Sequence, residues 1–331
     1  MNDGQTIKTK NVYNALKREG YFDVRKIDTY FIRKNPVRFF VQFLFSVFTT
    51  EKYIVLLSQN GRKVLFPVLY FIEKYLHKNV YNYGIGGRLA REVNQKAKWK
   101  KYVSNFHGNW MESPQIVEDL ARLGVNNAVY IPNFKRLTIL KKEEMVKSFD
   151  EPYRFVIFSR INKEKGIEDA IAAINSVNHK YNKKIATLDL YGPIEDGYEK
   201  RLEQCLSDSD KYCRYCGVVD SEKSVEALKD YYMLLFPTHW RHEGIPGTII
   251  DALTAGVPII SRKWQFCDDM ITNYYSGYVY DFESPEDLEK CIEYAISNPM
   301  NVIAMKENCL KKAYEYSEEY AMKIIMSELR K

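Results

Sequence analysis

Along most of the chain, short runs of apolar residues alternate with stretches in which apolar residues recur every three or four positions. The first pattern is typical of buried strands and the second of amphipathic helices, so the sequence predicts an α/β fold. In the first half we predict strands at 23–29, 52–57, 78–83 and 127–131, and helices at 8–19, 36–48, 62–77, 86–98 and 113–123. In the second half we predict strands at 153–159, 185–191, 211–216, 232–236 and 257–261, and helices at 166–180, 197–206, 221–229, 247–255 and 317–330.

A charged segment, KRLTILKKEEMVKSFDEP at 135–152, separates the two series of strands and helices. Strands that alternate with helices form parallel, doubly wound sheets, which bind ligands beyond the carboxyl ends of their strands. We therefore expect a Rossmann-like N-terminal domain over 1–140, a Rossmann-like C-terminal domain over 150–315, and a ligand-binding cleft between them.

The predicted N-terminal domain opens in an unusual way. A glycine-containing turn at Asp3, Gly4 and Gln5 leads into a helix, but no apolar strand comes before it. A doubly wound domain normally begins with such a strand. Two explanations stay open: upstream sequence that encodes the strand is missing, or the sheet closes without it.

The composition fits two globular domains. The chain has 331 residues, of which 46% are apolar and 28% charged. No run reaches the roughly 18 apolar residues of a membrane-spanning helix, and no signal peptide opens the sequence, so we expect a cytoplasmic protein. Residues 1–150 carry 26 Lys and Arg against 13 Asp and Glu, whereas the remainder is net acidic. This asymmetry suggests that the basic half meets phosphates, polyanions or an anionic membrane.

All six cysteines lie in the second half, and Cys213 and Cys216 form a CxxC pair. A structural zinc site needs four ligands with paired spacing, and the chain has no second CxxC. The surrounding KYCRYCGVV alternates like a strand. We therefore favour a buried strand over a metal or redox site.

The segment 236–260, FPTHWRHEGIPGTIIDALTAGVPII, has the strongest chemical signature. It predicts a strand end, a polar loop with Glu243, a glycine-containing turn and a helix that carries Asp251. Gly244 and Gly247 allow a ligand to approach the backbone closely, and the helix N-terminus offers N–H groups to a phosphate or hydroxyl. The two acids are eight residues apart, about two helical turns, so both can face one ligand.

This segment resembles the E-x7-E signature of glycosyltransferase family 4, retaining enzymes with the GT-B fold. FSRINKEKGIEDAI at 158–171 is similar to the family's strand–Arg–x4–Lys–Gly–helix element, and CGVVDSEKSVEALKDYYMLLFPT at 216–238 to its base-binding segment. DGQTIKTKNVYNAL resembles the family's glycine loop and first helix, and VYIPNF at 129–134 its last N-terminal strand. The resemblance implies two Rossmann-like domains facing a central cleft, and a C-terminal helix at 316–331 that crosses back to the N-terminal domain.

The resemblance also implies which residues are catalytic. Retaining transfer breaks the anomeric C–O bond while a nucleoside diphosphate leaves, and that leaving group needs positive charge. Arg160 and Lys165 would face the diphosphate, and Glu243 would hold hydroxyls of the transferred sugar. An Arg–Lys pair at a helix start is usually a solvated surface, but its position after a strand and before Gly166 favours function. No metal or other cofactor is expected, because Arg and Lys supply the charge.

Further residues would bind the donor. Asp251 would hold the ribose hydroxyls, as an acid does in other nucleotide-binding folds, and Val219 would contact the base through its backbone. Gly4 would let the N-terminal loop approach the diphosphate. The sugar and phosphate would be bound by the backbone of five consecutive residues, Gly244, Ile245, Pro246, Gly247 and Thr248.

Two departures from the family pattern affect these assignments. The second acid is Asp251 rather than Glu, so its ribose contact shifts or needs a bridging water. Many members also carry a histidine after the strand that matches 78–83, where this sequence has Tyr83 and Gly84. Tyr83 is a weak substitute and His107 is a loop residue in a different segment. His239 and His242 flank the Glu243 loop and are candidates for an acceptor contact.

The basic half contains two aromatic, positively charged segments, 31–48 and 62–78. They are either buried core helices or a surface that contacts a membrane and brings the enzyme to a lipid-linked acceptor.

The sequence therefore predicts a hexosyltransferase that is peripheral on the inner face of the plasma membrane. It would move a sugar, from UDP rather than GDP, to a growing, lipid-linked surface polysaccharide. The alternative is a catalytically silent GT-B subunit that binds a partner or glycan. A nucleic-acid partner is not expected, because the acidic half carries the recognisable site.

Overall fold

A computed structural model of the protein describes residues 4–20, 23–29, 31–84, 88–209 and 211–331. The chain divides into two compact units: the described residues up to Arg136 together with Tyr316–Lys331, and Leu137–Glu315. The charged segment after Arg136 belongs to the second unit, although the sequence assigned it to the first domain and a linker. There, the backbone N–H of Leu140 donates to the carbonyl oxygen of Thr254 at 3.0 Å.

The first unit is a parallel sheet flanked by helices. Its strands are β1 (Lys52–Val55), β2 (Asn79–Tyr83), β3 (Gly108–Met111) and β4 (Ala128–Tyr130), hydrogen-bonded in that order. Numbered in chain order, its helices are α1 (Gly4–Glu19), α2 (Phe31–Lys34), α3 (Pro36–Thr49), α4 (Gln59–Leu76), α5 (Arg88–Gln95), α6 (Ala97–Asn105), α7 (Pro114–Arg122) and α15 (Glu318–Arg330).

The core of this unit joins the two ends of the chain. Tyr81, Tyr83 and Trp110 from the sheet pack in one buried cluster with apolar residues of α1 and with Met322 and Ile325 of α15. The guanidinium of Arg18 on α1 also pairs with Glu318 at 2.6 Å. The C-terminal helix is therefore part of the N-terminal unit.

Two predicted features of the first unit are wrong, and one strand was missed. No strand occurs within the described part of 23–29, where Arg25 pairs with Asp23 at 2.8 Å on the surface. The strand β3 was not predicted, because its sequence GNWM is neither an apolar run nor an alternating pattern, although all four residues are buried. Part of the helix expected at 86–98 lies outside the described residues, and in the rest α5 ends at Gln95 and α6 begins at Ala97. The predicted turn at Asp3, Gly4 and Gln5 lies partly outside the described residues, and the helix begins at Gly4.

The second unit contains a six-stranded parallel sheet. Its strands are β5 (Tyr153–Phe158), β6 (Ala186–Tyr191), β7 (Cys213–Gly217), β8 (Met233–Phe236), β9 (Ile259–Arg262) and β10 (Gly277–Tyr280). Its helices are α8 (Ile167–Tyr181), α9 (Glu199–Ser207), α10 (Ser224–Leu228), α11 (Gly247–Thr254), α12 (Cys267–Met270), α13 (Asp287–Ser297) and α14 (Pro299–Tyr314). The predicted strand across the CxxC pair is confirmed as β7.

Strand order in this sheet is β10-β9-β8-β5-β6-β7. The chain therefore winds outward from β5 through β6 to β7, returns to β8 on the other side of β5, and continues to β10. The direction reverses between β5 and β8, which pair in parallel at Phe155 and Met233. Ligands of doubly wound sheets bind beyond the carboxyl ends of the strands at such a switch point. The loops after β5 and β8 are therefore the ones to inspect for a site.

The helices α3 and α4 expose many apolar side chains. Only Ser46 of α3 is buried, so the expectation of a buried core helix is wrong there, whereas α4 buries one face through residues such as Phe66 and Leu69. Within the described residues, no helix combines the length and apolarity needed to cross a membrane.

Candidate active site

Two glycine-dependent contacts bring the strand ends of the second unit together. Gly166 follows β5 and has a φ of 69°, and a Cβ atom there would lie 2.1 Å from the carbonyl oxygen of Pro237 after β8. The backbone N–H of His239 donates to the carbonyl oxygen of Glu164 at 2.8 Å. Gly192, after β6, approaches Ser159 equally closely. Only glycine allows these approaches, so the loops after β5, β6 and β8 converge.

An ion pair lies at the point where the β5 and β8 loops meet. The Nζ of Lys165 is 2.6 Å from Oε2 of Glu243, and the two side chains are 21% and 18% exposed. The hydroxyl of Thr238 donates to the same oxygen at 3.3 Å, and Lys165 also lies over the ring of Phe236. The side chain of Asn162 accepts from the Lys165 backbone N–H at 3.1 Å, which fixes the turn that carries the lysine. The structure thus brings together two of the three predicted catalytic residues.

The third, Arg160, is not part of this pair. Its guanidinium is 65% exposed and lies 3.9 Å from the carboxylate of Glu195, which also accepts from Asn162 at 3.3 Å. An ion pair this exposed and this long constrains the side chain little. The guanidinium of Arg160 is therefore free to turn towards a ligand above the β5 loop.

The turn at 244–248 leads directly into α11 and leaves the start of this helix open. Neither Gly244 nor Gly247 has a heavy atom within 4 Å of where a Cβ would stand, so chain packing does not require glycine there. The N-cap residue Pro246 gives α11 no side-chain cap, and the buried Oγ1 of Thr248 has no hydrogen-bond partner in the described part of the chain. Such a helix start offers donors to an anion. The indole N–H of Trp264 holds the turn by donating to the Gly244 carbonyl oxygen at 3.2 Å.

The second predicted acid has a different environment from the first. Asp251 is only 9% exposed, and its Oδ1 accepts from the hydroxyl of Ser224, at the start of α10, at 3.0 Å. Val219 lies half-buried two residues beyond β7, after Gly217, which has a φ of 86°. Asp251 is thus held against the start of α10, and Val219 lies on the loop that leads from β7 towards the same helix.

Tyr83 and the candidate histidines each contact other residues of the chain. The Tyr83 hydroxyl donates to the carbonyl oxygen of Pro132 at 3.0 Å inside the first unit, which leaves it poorly suited to replace a cleft histidine. His107 packs edge-on against Tyr81 just before β3. Nε2 of His239 is 2.7 Å from Asp169, and Nδ1 of His242 is 3.2 Å from Gln265.

The cysteine pair shows no reactive chemistry. Cys213 is buried in β7, and desolvation raises the pKa of its thiol to about 12. Burial also raises the pKa of Cys216. Across the described residues, no three His, Cys, Asp or Glu side chains gather as metal ligands.

Sequence reasoning missed two residues of the site. Thr238 and Ser224 are both buried hydroxyls that bind a predicted acid, Glu243 and Asp251 respectively. A single threonine or serine carries no pattern of its own, and Ser224 is 27 residues from Asp251 in the sequence. The available signal was position: Thr238 lies two residues after β8, in the same loop as Glu243, and Ser224 begins α10.

The fold has well-matched solved structures. Anabaena Alr3699/HepE in complex with UDP aligns with a TM-score of 0.70 at 11% identity, over 96% of this chain and 89% of that one. The lipopolysaccharide outer core galactosyltransferase WaaB aligns with a TM-score of 0.71 at 14% identity, over 99% and 95% of the two chains. With its two Rossmann-like parallel-sheet units, this protein has the GT-B fold of such glycosyltransferases.

The sequence comparisons identify the family. Residues 140–316, just over half of the chain, match the model of the family "Glycosyl transferases group 1". The protein belongs to this family and is a glycosyltransferase.

Two relatives are similar over long stretches. The uncharacterized glycosyltransferase MJ1069 of Methanocaldococcus jannaschii is 22% identical over 305 residues, which cover 87% of this chain and 71% of that protein. The amylovoran biosynthesis glycosyltransferase AmsK of Erwinia amylovora is 23% identical over 231 residues, or 60% and 56% of the two chains.

Proposed function

We propose that the protein is a retaining family 4 enzyme that transfers a hexose from a UDP-sugar to a growing, lipid-linked surface polysaccharide. The observation that carries the proposal is the half-buried Lys165–Glu243 ion pair at the switch point of the second sheet. It combines a cation for a leaving phosphate with a carboxylate for sugar hydroxyls, in the place where doubly wound sheets bind nucleotides. The uncapped start of α11 adds donors to the same loop system.

In the proposed mechanism the donor's anomeric C–O bond breaks and the nucleoside diphosphate leaves on the face from which the acceptor attacks. Lys165 and Arg160 stabilise the developing negative charge, and the leaving phosphate takes the acceptor's proton. Glu243 orients the sugar through its hydroxyls. These cations do the work that a metal does elsewhere, so the reaction is proposed to need no metal or other cofactor.

The remaining donor contacts follow the sheet edge. The backbone of Gly244, Ile245, Pro246, Gly247 and Thr248 would bind sugar and phosphate. Asp251 would bind the ribose by sharing the carboxylate that now accepts from Ser224. Val219 would contact the base, and Gly4 would bring the start of α1 to the diphosphate.

Comparison with known proteins supports the choice of substrates. Anabaena HepE is known in complex with UDP and with UDP-glucose, which favours a UDP-sugar over a GDP-sugar. AmsK acts in amylovoran biosynthesis and WaaB in the lipopolysaccharide outer core, which favours a surface polysaccharide acceptor. The exposed apolar faces of α3 and α4 support peripheral contact with the anionic inner face of the plasma membrane. No nucleic-acid partner is proposed.

Calorimetric titration with UDP, GDP and dTDP tests the donor site. We expect saturable binding of UDP, weakened about tenfold or more by Lys165→Met, because a charge-assisted contact to phosphate is lost. Lys163→Met is the matched control, since Lys163 is an exposed lysine in the same short turn, and it should change affinity less than about twofold.

Two results would count against the proposal. Binding that is equal in both variants would remove Lys165 from the donor site. If a folded protein binds none of the three nucleotides, the silent GT-B subunit becomes the better explanation.

A further inference from the structure

An open pocket lies beside the Glu243 loop, on the β10 side of the second sheet. Its volume is about 330 Å³, and it is lined by Asp169, His239, Arg262, Phe282 and Pro285. Asp169 is in the first turn of α8, and the other four follow or end the strands β8, β9 and β10. The pocket is thus built at the carboxyl edge of the sheet, where ligands of this architecture bind.

Arg262 is the unusual residue of the pocket. It is only 9% exposed, its Nε donates to the Phe282 carbonyl oxygen at 2.7 Å, and its guanidinium lies 4.4 Å from the centre of the Phe282 ring. Within the described ranges, no carboxylate forms an ion pair with it. A buried cation without a counter-ion is destabilising, and a bound anion would offset that cost.

Arg241 provides an internal comparison. Its guanidinium lies 4.2 Å from the centre of the same ring, but the side chain is 53% exposed and forms an ion pair with Glu283. One arginine over Phe282 is therefore neutralised at the surface, while the other presents an unneutralised fork of N–H donors inside the pocket. The planar guanidinium matches the two oxygens of a carboxylate or phosphate.

A second polar group, the imidazole of His239, lines the same pocket. Nε2 of His239 bonds to Asp169 at 2.7 Å, which fixes the imidazole ring, and Nδ1 has no partner in the part of the chain that the structure describes. A carboxylate and an oriented imidazole can together accept from and donate to sugar hydroxyls. The pocket therefore combines donors for an anionic group with partners for neighbouring hydroxyls.

We propose that this pocket binds an anionic substituent, a carboxylate or a phosphate, on a sugar that the enzyme handles. His239 belongs to the loop that also carries Glu243, and its backbone N–H bonds to Glu164, next to Lys165. The bound sugar would thus lie next to the loop that carries Glu243 of the proposed catalytic pair. The inference rests on the proposed function only in assigning that sugar to the donor or the acceptor.

Binding measurements with wild-type, Arg262→Gln and Arg241→Gln protein test the proposal. In the donor arm, UDP-glucuronate is titrated against UDP-glucose. In the acceptor arm, free glucuronate and inorganic phosphate are titrated in the presence of saturating UDP. Thermal melting confirms that each variant is folded, and Arg262→Lys, which keeps the charge but loses the fork, replaces Arg262→Gln if the latter does not fold.

If the anion belongs to the donor, wild-type protein should prefer UDP-glucuronate over UDP-glucose by about tenfold or more, and Arg262→Gln should abolish the preference. If it belongs to the acceptor, free glucuronate or phosphate should bind the wild type and lose about tenfold in Arg262→Gln. Arg241→Gln should behave as wild type in either case. Anion binding that is absent, or identical in wild type and Arg262→Gln, would overturn the proposal. If UDP itself does not bind, the proposed nucleotide site is refuted instead. Titration with free glucuronate and inorganic phosphate would still test whether the pocket binds an anion.

Discussion

Lys306 lies in α14 with none of its surface exposed to solvent. Its Nζ is 5.2 Å from the centre of the Phe149 ring, and its one hydrogen bond within the described residues is to the Tyr231 carbonyl oxygen at 3.5 Å. Desolvation lowers the pKa of Lys306 to about 8. Because burial of a poorly compensated ammonium opposes folding, we expect Lys306→Met to raise the free energy of unfolding by about 1–3 kcal/mol at pH 7.

The pH dependence follows from the same shift. An unfolded lysine has a pKa near 10.4, so between about pH 8 and that value the unfolded chain binds more protons than the folded one. Wild-type stability should therefore gain from this residue as the pH rises through that window, and the advantage of Lys306→Met should shrink. Urea unfolding at pH 7 and pH 10 measures both effects. Lys311→Met, on the exposed side of the same helix, should be nearly neutral.

Single residues of the site were predictable as types but not as contacts. Lys165 and Glu243 were singled out by the resemblance of their segments to glycosyltransferase family 4, whereas their 2.6 Å ion pair depends on β5 and β8 being neighbours. The buried charge of Arg262 was not predictable, because an arginine at the end of a short apolar run looks like a surface residue. Burial there is decided by Phe282, which comes from another strand end.

Helices α3 and α4 expose apolar surface that a solvated helix would avoid. On α3, Phe40 and Phe48 are 63% and 78% exposed, and on α4 Phe71 is 52% exposed. Exposed basic residues such as Arg38 accompany them. Helices bind an anionic lipid surface when their aromatic side chains insert into the bilayer and their basic side chains pair with the headgroups. We therefore expect the protein to sediment with vesicles that contain phosphatidylglycerol and much less with pure phosphatidylcholine.

The double variant Phe40→Ser/Phe48→Ser tests this surface. Each buried phenylalanine contributes about 1.5–3 kcal/mol, so the pair should weaken vesicle binding by more than tenfold. Met300→Ser removes an apolar side chain that is 71% exposed in the second unit, and it should bind vesicles like the wild type. Equal loss of vesicle binding in both variants, or no vesicle binding by the wild type, would indicate that the exposed faces of α3 and α4 contact something other than an anionic membrane.

Elements were predictable where the sequence has an apolar run or a periodic pattern, which includes the fully buried strand β8. The amphipathic α8 and the apolar run of β5 lie within a residue or two of their predicted bounds. The prediction failed at β3, whose sequence GNWM is neither an apolar run nor an alternation, and at 23–29, which is exposed or half-buried and forms no strand. Sequence pattern is a local signal, whereas a strand also requires pairing with another segment.

At the scale of the whole molecule, the two units have opposite character. The first 150 residues are strongly basic and the rest acidic, and the switch-point site lies in the acidic unit. The predicted cationic residues Arg160 and Lys165 thus lie within a net negative unit, so the proposed attraction for a phosphate would come from these side chains rather than from the overall charge. Composition alone suggested phosphates, polyanions or a membrane for the basic half, whereas the proposed nucleotide site lies in the acidic unit.

The chain also crosses from the second unit back to the first before it ends. Ile325 of α15 is fully buried in the same cluster as Tyr81 and Trp110. Truncation of a buried isoleucine to alanine typically costs about 2–5 kcal/mol. We therefore expect Ile325→Ala to increase hydrogen exchange in β2 and β3, more than 200 residues away in sequence, while β5 and β6 stay protected. Ile174→Ala, an equally buried change in α8, should produce the reverse pattern. If both variants loosened both sheets equally, the two units would unfold as one, and the division of the chain would be geometric only.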